Sequence, residues 1–285
     1  MRYFHPLSKL TAVIALLPVI MFCTSLTAAG LGLAAAVVGL TITRGGRYGA
    51  KALFLSLGAA VLIALTNPLI SHRGATPLLF INGRAYTLEA MLFGFDLGLS
   101  AAAVIALLTL LQDMTRREEL LALMGRFSPK LALAVSMSLG FVPKIRRKTA
   151  DISSAQLTSG LLRGESCTDR VVSSGRVFMA AAAWSAEAAA ETAQVMNSRC
   201  YGMARLSKSS AAKPKARDKA ICAASLLLMA VTAALYAKGG RQWFYPRLNT
   251  EDWAVSALFA VSFAAQCLLP VFMAAFIKKL GGKMR

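Results

Sequence analysis

The chain has 285 residues, of which 56% are hydrophobic, and a formal net charge of +19 at pH 7. A soluble domain of this length rarely has so high an apolar content, and several apolar runs are long enough to cross a bilayer. The charge indicates a membrane protein that collects Lys and Arg in its cytoplasmic segments. In a soluble protein the same charge would suggest nucleic-acid binding, but the apolar runs favour a membrane protein and no nucleic-acid-recognition motif accompanies the basic residues.

The cysteines and histidines disfavour two further kinds of site. The five cysteines are odd in number and include no Cys-x-x-Cys pair, which argues against a disulfide framework and a zinc site. The two histidines, His5 and His72, have no nearby cluster of Cys, Asp or Glu. We therefore expect no metal and no cofactor.

No charged residue occurs between Lys9 and Arg44. One straight helix of that length would reach about 50 Å, against roughly 30 Å of hydrocarbon. We therefore predict two spans that form a helical hairpin, which turns near Cys23-Thr24-Ser25. The alternative is a signal peptide, because Thr27-Ala28-Ala29 resembles a cleavage site, although apolar sequence continues well past it.

The third span is predicted from Ala52 to Ile70. Pro68 lies near its far end and cannot donate a backbone hydrogen bond, so the helix is expected to kink or end there. The following segment, Ser71 to Thr87, contains the turn signature Asn82-Gly83 and is predicted to be a loop.

The fourth span is predicted from Leu88 to Gln112. Gly94 and Gly98 form a GxxxG pair, which allows helices to approach closely in lipid. Asp96 lies between them, and an ionisable group in a span is expected to face a partner or a cavity. Hydration near the outer surface is the alternative for this carboxylate.

The fifth and sixth spans are predicted at Ala220–Ala237 and Trp253–Ile277. With six spans and a cytoplasmic N-terminus, 27 of the 32 Lys and Arg residues fall in cytoplasmic segments, as the positive-inside rule requires. We therefore predict an all-α integral membrane protein of about six transmembrane helices in the cell membrane, with both termini in the cytoplasm. Its parts are N-terminal transmembrane helices (1–112), a cytosolic domain inserted between the fourth and fifth spans (113–219) and C-terminal transmembrane helices (220–285).

A helix of the cytosolic domain is predicted to begin at Ser128-Pro129, an N-cap followed by proline at the first helical position. The apolar stretch Leu131 to Val142 is too short to span a bilayer, and Pro143 is expected to end it. The basic cluster that follows, Lys144 to Lys148, suits anionic lipid headgroups or, alternatively, a solvated charged turn.

Two helix ends then stand out. A polar helix is predicted to run to Ser159-Gly160, and a longer helix to cover Asp169 to Cys200, with Gly175 as a candidate weak point.

Gly202 is the candidate left-handed residue just past the end of the longer helix. Arg199 would lie in the last turn, where the helix dipole favours a cation. The alternative role for Arg199 is insertion into an acidic groove on a partner, where a guanidinium can contact a carboxylate through two hydrogen bonds.

Over nearly its whole length, the chain resembles the transmembrane T component of energy-coupling factor transporters, the CbiQ/EcfT-like family. The resemblance rests on five segments that occur in the family's order: His5-Pro6-Leu7-Ser8-Lys9-Leu10, Thr66-Asn67-Pro68, Phe141-Val142-Pro143, Ala155-Gln156-Leu157-Thr158-Ser159-Gly160 and Met196-Asn197-Ser198-Arg199-Cys200-Tyr201-Gly202.

This resemblance implies a membrane scaffold with two long cytosolic coupling helices. In that family the end of each coupling helix engages one ATP-binding-cassette ATPase. The membrane helices and coupling helices also hold a small membrane subunit, the S component, which binds the substrate. The implied partners are therefore two ATPases, an S component and the lipid bilayer, without nucleic acid, and the implied substrate is a vitamin or a transition-metal ion.

The resemblance also assigns residues to ATPase coupling. Where the family has Ala-Arg before the glycine of the first element, this chain has Thr158-Ser159, whereas Arg199 is kept in the second. We therefore expect asymmetric docking, in which Arg199 is the stronger anchor. The first end would bind through hydroxyl and backbone groups or through Arg163. Arg163 lies four residues after Ser159 and would share its helix face if the helix continued, but Gly160 argues against that continuation. The predicted coupling residues are Gln156, Thr158, Ser159, Gly160, Arg163, Ser198, Arg199, Cys200 and Gly202. The residues predicted to pack the bundle or to contact the S component are Gly94, Asp96, Gly98 and Pro143.

The sequence indicates no enzyme. Gly45 to Lys51 resembles a Walker A motif only superficially, because it lacks the final Gly-Lys-Ser/Thr, and no HExxH or nucleophile elbow occurs. We expect ATP hydrolysis to reside in partner subunits. The alternatives are a self-contained secondary transporter or channel, in which Asp96 alone stands out as an ionisable group within a span, an intramembrane enzyme, and a membrane-anchored basic adaptor.

Overall fold

A computed structural model describes residues 4–70, 76–81, 84–160, 167–203, 215–239, 242–243, 249–250 and 253–281. These residues form ten helices and two short antiparallel sheets of two strands each. The helices are α1 (Pro6–Ile14), α2 (Leu16–Phe22), α3 (Leu26–Arg44), α4 (Gly46–Ile70), α5 (Leu88–Met114), α6 (Arg117–Phe127), α7 (Pro129–Thr158), α8 (Cys167–Ser198), α9 (Ala216–Ala237) and α10 (Trp253–Gly281). The strands are β1 (Pro77–Ile81), β2 (Arg84–Thr87), β3 (Gln242–Trp243) and β4 (Asn249–Thr250).

The chain divides into two compact units. Unit 1 comprises Met1–Glu119 and Ala212–Arg285, and unit 2 comprises Leu120–Ala211. Unit 1 contains the apolar core, and its fully buried side chains include Leu16, Leu107 and Phe263.

Five of the described helices are long and apolar enough to cross a membrane, which fits a multi-pass membrane protein. They cover Leu26–Arg44, Gly46–Asn67, Leu88–Met114, Ala216–Ala237 and Trp253–Lys279. The segment Pro6–Phe22 is apolar but shorter than these. The described helices thus fit the predicted helical membrane protein, and five of the six predicted spans reach spanning length.

The short first segment is a broken helix. Pro18 has no N–H to donate to the carbonyl of Ile14, and the helix is interrupted at Ala15. The carbonyl of Ala15 accepts a hydrogen bond of 3.0 Å from Nε2 of Gln266, a fully buried side chain of α10. This amide stabilises the break, because a buried carbonyl without a partner costs about 1–3 kcal/mol. The predicted turn at Cys23–Ser25 is confirmed, since α2 ends at Phe22 and α3 begins at Leu26.

The GxxxG pair lets α5 lie directly against α4. A Cβ atom added to Gly98 would lie 2.5 Å from the Cα of Ala60, and one added to Gly94 would lie 2.6 Å from the Cβ of Asn67. The amide of Asn67 donates a hydrogen bond of 2.6 Å to the carbonyl of Ala90. The close approach predicted from the two glycines is therefore confirmed.

Two boundaries near α4 differ from the prediction. The helix begins at Gly46 rather than Ala52, directly after Gly45, whose φ of +104° separates it from α3. It ends at Ile70, just beyond Pro68, as predicted. The predicted loop contains a β-hairpin in which Ile81 pairs with Arg84. The turn signature Asn82-Gly83 lies outside the described residues.

Polar and aromatic contacts define the two ends of unit 1. At one end, the first residues of α1 and α9 meet the last residues of α3, α5 and α10. These contacts are Lys9 with Met114 and Glu119, Arg44 with Asp113, His5 with Asp218, and Phe4 with Phe276. At the other end, Thr24 is hydrogen-bonded to the hydroxyl of Tyr236, near the end of α9. The α1–α2 segment therefore runs the length of the bundle alongside α9.

In unit 2, α7 passes through Pro143, so the prediction that this proline ends the apolar stretch is wrong. Pro143 removes the single hydrogen bond to the carbonyl of Leu139, and solvent can satisfy that carbonyl because Leu139 is exposed. The predicted start is confirmed: the hydroxyl of Ser128 accepts from the N–H of Leu131, and Pro129 takes the first helical position.

The other long helix, α8, is continuous over nearly all of the predicted range. It continues through Gly175, where a weak point was predicted. One glycine costs about 1 kcal/mol relative to alanine inside a helix, which the alanine-rich sequence from Ala180 to Ala190 offsets.

Candidate functional site

The two long helices of unit 2 cross near their midpoints. The ring of Phe141 stacks on that of Trp184, with centroids 5.7 Å apart and an interplanar angle of 9°. The ammonium group of Lys148 lies 5.9 Å from the centre of the same Trp184 ring, a cation–π contact. These three side chains fix the crossing of α7 and α8.

Beyond the crossing, an open groove of about 720 Å³ separates the C-terminal half of α7 from the N-terminal half of α8. The two helices therefore run in roughly opposite directions. From the crossing, α7 continues to Thr158 and α8 continues to Ser198. At 1.5 Å per residue each C-terminal arm is about 20–25 Å long, and the two ends point away from each other.

The α7 end, Thr158 to Gly160, closes with a left-handed glycine. The N–H of Gly160 donates a hydrogen bond of 3.1 Å to the carbonyl of Leu157, and Gly160 has a φ of +71°. Glycine adopts this conformation without the steric penalty of a Cβ atom. The helix end predicted at Ser159-Gly160 is therefore confirmed, and Ser159 is its C-cap residue.

The α8 end, Ser198 to Cys200, closes with a Schellman motif. The N–H of Tyr201 donates to the carbonyl of Met196, and the N–H of Cys200 donates to that of Asn197, both at 3.0 Å. The left-handed residue is Cys200, with a φ of +57°. The prediction of Gly202 in this role is wrong, although Gly202 also has a positive φ, of +93°.

The two ends share one closing backbone bond, from the left-handed residue to the carbonyl three residues earlier. Counted back from the left-handed residue, Ser159 and Arg199 both occupy the C-cap position, directly before Gly160 and Cys200 respectively. The alignment of the two elements in the sequence therefore corresponds to a structural equivalence. What differs between the ends is the side chain at the C-cap.

The hydroxyl groups near both ends are already donating to their own helices. Ser159 donates to the carbonyl of Ala155 at 2.8 Å, and Thr158 donates to the same carbonyl at 2.9 Å. Ser198 donates to the carbonyl of Val195 at 2.9 Å. These hydroxyls can therefore contact a partner only as acceptors, unless they first release their own helix.

The guanidinium of Arg199 is different, because it is exposed and has no ion pair or side-chain hydrogen bond within the part of the chain that the structure describes. Exposed apolar residues lie close to it in the chain: Val195, one turn earlier in α8, is 50% exposed, and Met203 is 84% exposed. At the α7 end, Leu157 is 65% exposed. Exposed apolar groups around a polar anchor are typical of a docking surface.

Two further predicted coupling residues belong to the α7 end. Gln156 is half-buried, and its Oε1 has no hydrogen-bond partner among the described residues. Arg163, the predicted substitute for the missing arginine, lies outside the described residues.

The residues predicted to pack the bundle fall in two places. Asp96 is only 2% exposed, and its Oδ1 has no hydrogen-bond partner in the described ranges. Leu99, one turn further along α5, lies against Gly30 of α3, so Asp96 faces α3 whereas Gly94 and Gly98 face α4. Pro143, predicted with them, is an exposed residue of unit 2.

Sequence analysis missed the polar contacts of α1. Lys9 is buried and paired with Glu119, and the carboxylate of Asp218 accepts from the backbone N–H of His5. The available signal was Lys9 itself, because a lysine close to the start of a long uncharged segment needs a partner. Gln266 could have been recognised in the same way, because a polar side chain in an otherwise apolar helix needs a hydrogen-bond partner.

No protein-family model matches the chain, and no curated protein matches it. Among the described residues, no group of three or more His, Cys, Asp or Glu could hold a metal ion. Function is therefore inferred from the residues and the geometry of the two helix ends.

Proposed function

We propose that the chain is the membrane scaffold, or T component, of an energy-coupling factor transporter. The observation that supports this proposal is the pair of equivalent helix ends in unit 2. Both arms are of similar length, point away from each other and end in an exposed C-cap residue, Ser159 or Arg199. Two equivalent, separated ends suit two copies of one kind of partner, as a pair of ATPases provides.

The chemistry of the α8 end favours an acidic groove as its binding partner. An exposed guanidinium can form two parallel hydrogen bonds with a carboxylate, and the apolar groups beside it can exclude water from that contact. The α7 end has no cation among its described residues and offers Leu157, backbone carbonyls and hydroxyl oxygens. The α7 end therefore binds its ATPase more weakly than the α8 end.

Coupling then follows from the stiffness of the two helices. ATP binding brings the two ATPases together, and each ATPase moves the helix end that it holds. Because α7 and α8 are continuous over 30 and 32 residues and are joined by the Phe141–Trp184 stack, they move together rather than bend separately. The nucleotide drives this movement only through its different contacts in the two states of the ATPase pair.

In the membrane layout that we propose, the chain crosses the bilayer six times, with the first crossing made by α1 and α2 together. This segment runs alongside the spanning helix α9, from the contact of His5 with Asp218 to the contact of Thr24 with Tyr236. Its short length is accommodated by local thinning of the bilayer. The positive-inside rule then puts both termini and unit 2 in the cytoplasm.

Affinity purification of the tagged chain from its native membrane tests this function. The expected partners are ATP-binding-cassette ATPases and a small membrane protein, identified by mass spectrometry, and the isolated chain should not hydrolyse ATP. Arg199→Ala should weaken ATPase binding by about 2 kcal/mol or more, roughly 30-fold, because it removes a charged anchor.

Arg176→Ala is the matched control, since Arg176 is an exposed arginine of the same helix away from its end. Ser159→Ala and Arg163→Ala test the other end. Equal, negligible losses in all four variants would reject the docking scheme, and wild-type chain that retains no ATPase would reject the function.

The competing hypothesis is a self-contained secondary transporter. Asp96 favours it, because an unpaired carboxylate oxygen buried in a bundle is a candidate proton or ion site. Proteoliposomes that contain the chain alone distinguish the two functions: uptake without any ATPase would establish the secondary transporter.

A further inference from the structure

The polypeptide joins unit 1 to unit 2 at two places. It leaves unit 1 after Glu119 and returns to it at Ala212. Any displacement of unit 2 can reach the membrane bundle along these two connections. The residues of unit 1 that flank these connections are therefore placed to pass movement along the chain to the helices they contact.

The outgoing connection is fastened to α1. The ammonium group of Lys9 donates to Oε2 of Glu119 at 2.8 Å and to the carbonyl of Met114 at 2.9 Å. Both side chains of the ion pair are less than 10% exposed, at 7% and 9%. Solvent therefore screens this pair weakly, and loss of one partner would leave the other charge buried and unpaired.

The returning connection is fastened to the same helix turn. The carboxylate of Asp218 accepts one hydrogen bond from the backbone N–H of His5, at 3.2 Å, and one from that of Lys215, at 3.1 Å. The adjacent Arg217 places its guanidinium over the ring of Phe4, at 4.8 Å from the centroid. Residues 4 and 5 are thus held against the start of α9.

His5 is the N-cap of α1, and Lys9 lies in the helix that it begins. The imidazole Nδ1 of His5 accepts from the N–H of Leu7, and the hydroxyl of Ser8 donates to the carbonyl of His5. These bonds fix the positions of His5 and Lys9 relative to each other. One short, capped turn therefore holds both of the segments that lead to unit 2.

We propose that this turn is the joint through which movement of unit 2 enters the bundle, with Lys9, Glu119 and Asp218 as its positioning residues. This inference rests on the proposed transport function, and it also accounts for the segment His5 to Leu10. Movement of the two connections is delivered to α1 and, through its packing, to the neighbouring spans. Of the two contacts, the Lys9–Glu119 ion pair has the shorter distance, 2.8 Å, against 3.2 Å between Asp218 and the N–H of His5.

The test measures how strongly this turn restricts the movement of unit 2 relative to unit 1 in the isolated full-length chain. Nitroxide labels are placed on cysteines that replace Leu62 in α4 and Val171 in α8, both exposed, after the native cysteines are changed to alanine. Double electron–electron resonance in lipid nanodiscs gives the distribution of distances between the labels. Glu119→Gln should broaden this distribution about twofold, because it leaves Lys9 without its counter-charge.

The matched control is Glu118→Gln, which removes the same charge from the exposed neighbouring position and should leave the distribution unchanged. The exchanged pair, Lys9→Glu with Glu119→Lys, should restore part of the wild-type distribution, because the ion pair forms again although a carboxylate at position 9 cannot donate to the carbonyl of Met114. If Glu119→Gln does not fold, Asp218→Asn gives the same comparison at the returning connection. A merely structural role would lower the unfolding temperature without broadening the distribution, and that result would overturn the proposal.

The complex with its ATPases supplies the functional half of the test. With ATP and vanadate, the wild-type complex should shift the label distance, and Glu119→Gln should keep ATP hydrolysis but reduce that shift at least about twofold. An unchanged shift would overturn the proposal. Failure of the ATPases to bind at all would instead refute the transport function, and the broadening in the isolated chain would still stand.

Discussion

Gly98 lies so close to Ala60 that any side chain at position 98 would collide with the backbone of α4. A Cβ atom there would lie 2.5 Å from the Cα of Ala60, which real Cβ atoms do not tolerate. The contact between α4 and α5 therefore depends on the absence of a side chain at this position. Glycines at such interfaces let two backbones pack closely where lipid offers no hydrophobic driving force.

We expect Gly98→Leu to destabilise the purified protein by about 2–3 kcal/mol, because the two helices must separate to admit the side chain. Gly58→Leu is the matched control: Gly58 lies in α4, and an added Cβ would meet nothing within 4 Å. Thermal unfolding in detergent measures the difference. Equal unfolding temperatures for the two variants would contradict the close packing.

The asymmetry of the two helix ends leads to a gain-of-function prediction. Ser159 and Arg199 occupy equivalent cap positions, so an arginine at position 159 would project as Arg199 does. We expect Ser159→Arg to strengthen binding of the ATPase at the α7 end by about 1–2 kcal/mol. Native mass spectrometry should then find a larger fraction of complexes with two ATPases. Arg199→Ser should have the opposite effect, and a fraction unchanged in both variants would contradict the asymmetric scheme.

The left-handed cysteine gives a prediction about stability alone. Cys200 adopts a φ of +57°, which costs a residue with a Cβ atom about 1 kcal/mol relative to glycine. Cys200→Gly should therefore stabilise the α8 end by about that amount, whereas Cys200→Val should destabilise it further. Hydrogen exchange at the amides of Cys200 and Tyr201, which close the cap, measures the effect. Faster exchange in Cys200→Gly than in Cys200→Val would contradict it.

The sequence predicted the helices far better than it predicted what interrupts or caps them. Long uncharged runs and turn residues placed the break at Cys23–Ser25 and the start of α5 correctly, because these depend on local composition. Pro143 and Gly202 were misassigned because the outcome at each depends on competing backbone hydrogen bonds. A long helix can lose one bond at Pro143, and the Schellman bonds of α8 select Cys200 rather than the later glycine.

The long-range polar contacts could not be derived from one sequence. Lys9 and Glu119 are separated by more than a hundred residues, and Ala15 and Gln266 by more than two hundred. Local patterns show that such polar residues need partners, but only the packing of α1 against α5, α9 and α10 decides which partners they meet. The candidate site was more accessible to prediction, because each cap is built from consecutive residues.

The buried amide of Gln266 supports the broken first helix, and its removal should be costly. We expect Gln266→Leu to destabilise the protein by about 1–3 kcal/mol, because the carbonyl of Ala15 then loses that donor. Gln112→Leu is the control, since Gln112 is exposed at the end of α5. Thermal unfolding in detergent compares the two, and a similar stability for both variants would show that the break does not depend on this amide.

The buried carboxylate of Asp96 leads to a prediction about the stability of the bundle. Its Oδ1 is buried without a partner in the described part of the chain, so the carboxylate weakens the fold of the isolated subunit. Asp96→Leu should therefore stabilise the isolated chain by about 1–3 kcal/mol, because it removes an unsatisfied polar group from an apolar bundle. Asp96→Asn keeps the shape and removes only the charge, so it should stabilise the chain less than Asp96→Leu does. Thermal unfolding in detergent measures both variants. An Asp96→Leu chain that is less stable than the wild type would show that the carboxylate has a partner inside the bundle.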